Sequence, residues 1–130
     1  MKIDRLDHLV LTVRDITASC DFYGQVLGMN VVTFGNERKA LVFGKQKINL
    51  HEAGKEFEPK ASRPTPGSAD LCFITREPLA SVMAHLGSHN VTITDGPVAR
   101  TGAAGAIISV YLRDPDGNLI EISNYKNEID

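Results

Sequence analysis

The sequence predicts an α+β domain built from two copies of one β-α-β-β-β unit, and three observations carry that expectation. Asp7-His-Leu-Val-Leu-Thr-Val-Arg-Asp15 lies over Ala69-Asp-Leu-Cys-Phe-Ile-Thr-Arg-Glu77 without a gap. Ile48-Asn-Leu50 lies over Ile120-Glu-Ile122 in the same way. Between the copies, Ala53 to Ser68 is charged and poor in apolar residues, with Pro59, Pro64, Pro66 and Gly67, which is the composition of a surface linker. The predicted modules run over 6–53 and 69–125, with 54–68 as the linker. At 130 residues and 42% hydrophobic, the chain is long enough for one domain with a real core.

Leu6 to Val13 is a nearly continuous apolar run, so a strand buried on both faces is expected there. Asp15 is placed to cap a helix over Ile16 to Leu27, whose inner face carries Ser19, Phe22, Tyr23, Val26 and Leu27. Gly28 is placed to stop it. Three short strands follow, at Met29–Phe34, Lys39–Gly44 and Lys47–Glu52. The second copy opens with a strand over Ala69–Thr75. Pro78 then sits in a first helical turn, and Leu79, Val82, Met83 and Leu86 form a stripe. Val91–Thr94, Ile107–Arg113 and Leu119–Tyr125 supply three more strands. Asp114-Pro115-Asp116-Gly117 has the chemistry of a type I turn between the last two.

A net charge of −2 and the lack of a basic run exclude an electrostatic footprint for nucleic acid or an anionic membrane. The N-terminus has no apolar signal-like region, and no stretch is long enough to span a bilayer. Cys20 and Cys72 sit inside apolar segments and read as small buried hydrophobes in a reducing compartment. The expectation is a soluble, cytoplasmic protein.

The overlay of the two copies also places chemistry. His8 falls opposite Asp70, and Asn49 opposite Glu121, with His51 two residues on and on the same strand face as Asn49. Taken alone, His8 reads as a structural histidine, while Asp70 reads equally as a strand-end cap or a ligand and His51 equally as a solvated side chain or a ligand. Glu121 is harder to dismiss, because Ile120 and Ile122 flank it directly. Taken together, His8, His51, Asp70 and Glu121 are mixed N/O donors suited to Fe, Mn, Ni, Co or Zn as divalent ions, and the imidazoles exclude an all-oxygen calcium cage. Glu121 and Asp70 are the candidate bases. Tyr111 is a candidate hydroxyl donor to substrate, or an ordinary strand aromatic. Ala99-Arg-Thr-Gly-Ala-Ala-Gly-Ala106 reads either as a mobile lid carrying Arg100 to an anionic group of substrate or as a disordered hairpin connection. His85 and His89 read as solvent-facing.

DHLVLTVRD at the start, the FYGQVLGM helix end, the INLHEAG strand and the closing YLRDPDGNLIEI resemble the vicinal oxygen chelate superfamily, over Leu6 to Tyr125. That superfamily includes glyoxalase I, bleomycin-binding proteins and extradiol dioxygenases. GKQKINLHEAGKEFEPKA and GPVARTG are most similar to the glyoxalase-domain-containing protein 5 group and its bacterial dioxygenase-related homologues. The resemblance implies paired βαβββ modules forming an open, U-shaped mixed sheet around a divalent metal, often at or near a homodimer interface. It puts His8 on the family's first-strand ligand, Glu121 on its last-strand glutamate and Tyr111 on the tyrosine near the dioxygenase metal. Asp70 stands where glyoxalase and the dioxygenases have histidine, and Asn49 where glyoxalase I has glutamate, so His51 would have to substitute from beside it. Asp70 in place of histidine, with no histidine from Ala53 to Ala69, counts against extradiol cleavage, and Asn49 in place of the glutamate base weakens glyoxalase I chemistry. The expected function is a metal-dependent lyase or isomerase acting on a small substrate held through two vicinal oxygens. A ring-cleaving dioxygenase relative is the second reading, and a metal-free small-molecule sequestering protein is the rival from another class.

Overall fold

Each βαβββ copy folds into its own four-stranded mixed sheet in the computed structural model, which describes residues 1–127. The chain divides at the Ser68–Ala69 junction into two compact units. In the first, β1 (His8–Val13) leads to α1 (Ile16–Asp21), which continues as a π-helical turn over Phe22–Val26. β2 (Asn30–Phe34), β3 (Arg38–Phe43) and β4 (Gln46–Glu52) follow, in the sheet order β1-β4-β3-β2 with β1 parallel to β4. The second unit runs β5 (Asp70–Ile74), α2 (Leu79–Ser88), β6 (Asp95–Gly102), β7 (Gly105–Arg113) and β8 (Leu119–Tyr125). Its order, β5-β8-β7-β6 with β5 parallel to β8, repeats the first. The parallel registers correspond as well: Val10 pairs with Asn49, and Cys72 with Glu121.

Local chemistry explains these elements. The Asp15 carboxylate accepts from Ala18 N at 3.0 Å, satisfying an orphan donor of the first turn. Gly28, at φ +72°, takes the left-handed conformation that ends the helical segment. Ser19 and Tyr23 are fully buried below it, beside Leu11, Val13, Leu41, Ile48 and Leu50 of the sheet. In the second unit α2 turns Val82 and Leu86 inward, and Val110, Leu112, Ile120 and Ile122 complete that core. The turn before β8 is a hydrogen-bonded Asp turn. Asp114 Oδ1 accepts from Asp116 N and Asn118 N at 2.9 Å each, and Gly117 N reaches Asp114 O at 3.0 Å.

Four expectations need correction. β1 is not buried on both faces within its unit: Leu11, Thr12 and Val13 are buried, but Leu6 and Val10 are exposed, because a helix covers only one side of the sheet. Val91–Thr94 is no strand. Val91 N closes the end of α2 on Leu86 O at 2.9 Å, and β6 starts only at Asp95. The Ala99–Ala106 stretch is neither a lid nor disordered, since β6 and β7 pair down to Gly102 and Gly105 as a hairpin. Its turn is tied by Ala104 N donating to Tyr125 Oη at 3.0 Å. Cys20 is half-buried and Cys72 exposed; both are free thiols.

Register shifts between Asp95 and Val98, where Gly96 sits at φ +100° against β7. A methyl there would run into the carbonyl oxygen of Ser109 and come within 3.1 Å of Val110 Cα. Gly96→Ala is therefore expected to destabilise by about 3 kcal/mol or more, from backbone strain and overpacking combined. Gly87→Ala on α2, where nothing lies within 4 Å, should stabilise by up to about 1 kcal/mol. Urea denaturation of both variants checks the opposite signs.

Candidate functional site

In the first unit, the β1–β4 register puts His8, Val10 and Thr12 on one face with Lys47, Asn49 and His51. His8 Nδ1 lies 2.8 Å from Asp7 Oδ2. An ionised carboxylate only accepts, so Nδ1 donates to it, which leaves Nε2 as the nitrogen placed to ligate. Metal-ligating histidines are commonly oriented this way by a carboxylate on the other nitrogen. The same hydrogen bond holds the Asp7 carboxyl below its ordinary range. Asn49 lies diagonally across from His8, two residues further along the face, and is 7% exposed. Its Oδ1 is buried with no partner among the described residues.

His51 stands apart from that pair. It sits opposite Thr12, four residues and roughly 13 Å along the strands from His8. Its Nε2 faces Arg38 Nη2 at 3.4 Å, and its ring meets Phe57 edge-on with 5.6 Å between centroids. The Arg38 guanidinium is itself held between Phe57, at 4.5 Å, and Phe34, at 5.1 Å. Burial pushes the His51 pKa down, and Arg38 adds to the effect. A lone pair already turned to a guanidinium is a poor place for a second cation, so the structure does not gather His51 with His8.

In the second unit, Asp70 and Cys72 share a face with Leu119, Glu121 and Ser123, and Tyr111 lies directly across from Glu121. Glu121 Oε2 accepts from Ser109 Oγ at 2.6 Å. Ser109 Oγ is also 2.6 Å from Ser123 Oγ, which lies 3.4 Å from Cys72 Sγ. Because the carboxylate only accepts, the single Ser109 proton must go to it. Ser123 then donates to Ser109, and the Cys72 thiol to Ser123. Partial desolvation of its sulfur pushes the Cys72 thiol pKa up, in keeping with the protonated form that donates to Ser123. Glu121 is thus aimed through one oxygen, and Oε1 has no partner among the described residues. Arg100 is no lid residue: from β6 its Nε donates to Tyr111 Oη at 3.0 Å. That leaves the phenol proton free to be donated onward, while Arg100 Nη2 lies 3.9 Å from Asp95 Oδ2. His85 and His89 are exposed on and after α2, as expected.

Each unit therefore presents two donors on its open face: His8 and Asn49 in one, Asp70 and Glu121 in the other. Among the described residues, no group of three or more His, Cys, Asp or Glu side chains is gathered to hold a metal ion. The Ser109–Ser123–Cys72 chain was missed in the sequence because lone serines in strands carry no pattern. A cross-strand overlay of β7 on β8 would have shown Ser109 facing Ser123.

Two βαβββ units of the same strand order are the architecture that the sequence resemblance implies. The family model for the Glyoxalase/Bleomycin resistance protein/Dioxygenase superfamily matches residues 5–122, and the chain belongs to that family. It is 63% identical to virulence protein STM3117 of Salmonella typhimurium over 125 residues, covering 96% of this chain and 87% of that protein. The crystal structure of STM3117 superposes with a TM-score of 0.94, covering 96% of this chain and 99% of that one. The glyoxalase domain-containing protein RDO1 of Mycosarcoma maydis is 55% identical over 127 residues, 98% of this chain and 72% of that protein. Lactoylglutathione lyase from Agrobacterium tumefaciens shares the fold alone, at 19% identity and a TM-score of 0.73, with 95% of each chain covered.

The lowered pKa of His51 predicts a pH dependence of stability. The unfolded imidazole takes up its proton near pH 6.5, while the folded one resists it. The unfolded state then binds more protons, so stability falls as pH drops through about 6.5 and levels off below the folded pKa. His51→Gln should flatten that part of the profile, measured by urea denaturation between about pH 5 and 8.

Proposed function

We propose that the protein is a divalent-metal-dependent, glyoxalase-like lyase or isomerase acting on a small substrate held through two vicinal oxygens. The observation that carries this reading is the matched placement of donors. His8 and Asp70 open equivalent strands, Asn49 and Glu121 occupy equivalent positions, and all four lie on the open faces of their sheets. Two donors per unit are fewer than the full set a transition-metal centre takes. The residues fit such an ion. His8 is in the ligating tautomer, Asn49 offers an orphaned buried carbonyl oxygen, and Glu121 keeps one oxygen unpaired. When bound, the metal would polarise the two substrate oxygens and stabilise an enolate-like anion.

The chain's own residues divide the remaining tasks. Asp70 is exposed at the start of its strand and can take a proton from substrate carbon as general base. Glu121, fixed by Ser109, is better suited to hold the ion than to shuttle protons. Tyr111, with its oxygen taken by Arg100, donates its proton to a substrate oxygen. Homodimeric assembly is part of the proposal, supported by apolar residues left uncovered on the edge strands or next to them: Leu6 at 60%, Val10 at 46% and Ile74 at 49% exposure. A cytoplasmic location is supported by two free thiols.

A second reading, small-molecule sequestration without metal, is favoured by the absence of a three-donor cluster among the described residues. Elemental analysis of gently purified protein separates the two. The proposal expects near-stoichiometric Mn, Fe, Ni, Co or Zn, lost in folded His8→Ala and Glu121→Ala. Ser109→Ala should lower affinity about 10- to 100-fold. Metal-free protein that takes up none of these ions would leave the sequestering reading standing.

A further inference from the structure

Beside the His8–Asn49 pair, the same face of the first unit opens into a cleft of about 230 Å³. Thr12 and His51, paired directly in the β1–β4 register, line it together with Lys60, and Val10, Pro59 and Pro64 supply apolar walls. Nothing in the metal reading uses these groups.

The polar chemistry of the cleft follows from Arg38. A guanidinium only donates, so the contact between Arg38 Nη2 and His51 Nε2 makes Nε2 the acceptor. With Nε2 accepting, the ring proton resides on Nδ1. His51 is 3% exposed and Thr12 7%, yet neither Nδ1–H nor the Thr12 hydroxyl has a protein partner among the described residues. Two side chains more than nine-tenths buried thus present donors to one cleft with nothing of the protein to receive them. Lys60 adds a positive charge. It is shared with Glu56 Oε1 at 3.4 Å and Glu58 Oε1 at 3.6 Å, so an incoming anion would compete with these carboxylates for it. Arg38, behind His51, reinforces the positive side.

We propose that this cleft binds the carboxylate of a small organic acid, with His51 Nδ1–H and the Thr12 hydroxyl donating to its oxygens and Lys60 balancing its charge. Only the identity of the acid's other end rests on the metal reading. The Thr12–His51 row lies two residues, roughly 7 Å, beyond the Val10–Asn49 row. A substrate chelated beside His8 and Asn49 would therefore carry its carboxylate a few carbons from the chelating oxygens, so its class is a short hydroxy- or oxo-acid with a separate terminal carboxylate.

The test uses metal-stripped protein, so its outcome is independent of whether a metal binds. Pentanoate is titrated against 15N-labelled protein and compared with pentanamide, which has the same length and no charge. The expected result is saturable change at the His51 ring nitrogens and the Thr12 amide, with pentanamide at least about tenfold weaker. Thr12→Val and Lys60→Met should each weaken pentanoate about tenfold, the loss of one charge-assisted contact. Equal binding of acid and amide would make the cleft a merely apolar pocket and overturn the proposal. So would the absence of any change at His51, or unchanged pentanoate affinity in both variants.

Discussion

The placement of Asp70 beside Glu121 depends on an edge strand, β5, staying in register with β8, and two asparagines enforce that. At one end the fully buried Asn118 accepts from Ala69 N at 2.8 Å, while its amide donates to Asp114 Oδ2 at the same distance. At the other end Asn124 donates to Thr75 O at 2.8 Å and Glu77 O at 2.9 Å, and accepts from Leu79 N at 3.0 Å. The edge strand is thereby tied to its neighbour and to the start of α2. A slip of one residue would turn Asp70 and Cys72 to the other face and bring Leu71 and Phe73 out, which is why the register needs holding at both ends. Asparagine suits the task because one amide both donates and accepts without introducing a charge into a buried place.

With register fixed, the two open faces acquire different electrostatics from the same architecture. The first unit carries Arg38 and Lys60 near His51, with Phe34 and Phe57 stacked on the guanidinium. Its neutral histidine and unpaired donors suit an anionic or carbonyl group. The second carries Asp70 and Glu121, with a serine and thiol chain feeding protons toward the carboxylate. Its carboxylates suit a cation. The same scaffold thus carries different side-chain chemistry at matched strand positions.

Most of the architecture was legible in the sequence because it is periodic and repeated. β8 runs over the predicted Leu119–Tyr125, and Asp15 caps the first helix as its position suggested. What the sequence hid was set by pairing across strands. The value of His51 turns on its offset from His8 along two parallel strands, and no spacing along the chain reports that. Arg100 looked like part of a flexible loop because of its glycine and alanine neighbours, but pairing with Ile107 makes it a strand residue held on Tyr111. Cys72 looked buried because its neighbours are apolar, and alternation along the strand puts it on the open face instead.

The most direct test of the account is an X-ray absorption spectrum of the protein loaded with one equivalent of Mn or Ni. The account predicts nitrogen and oxygen neighbours with a single imidazole, from His8, and no sulfur. Two imidazoles would restore His51 as a ligand and contradict the division of the open face into a metal end and a carboxylate end. A sulfur neighbour would put Cys72 on the metal and contradict its place as a proton donor to Ser123. An ion seen only with water around it would contradict the metal centre itself.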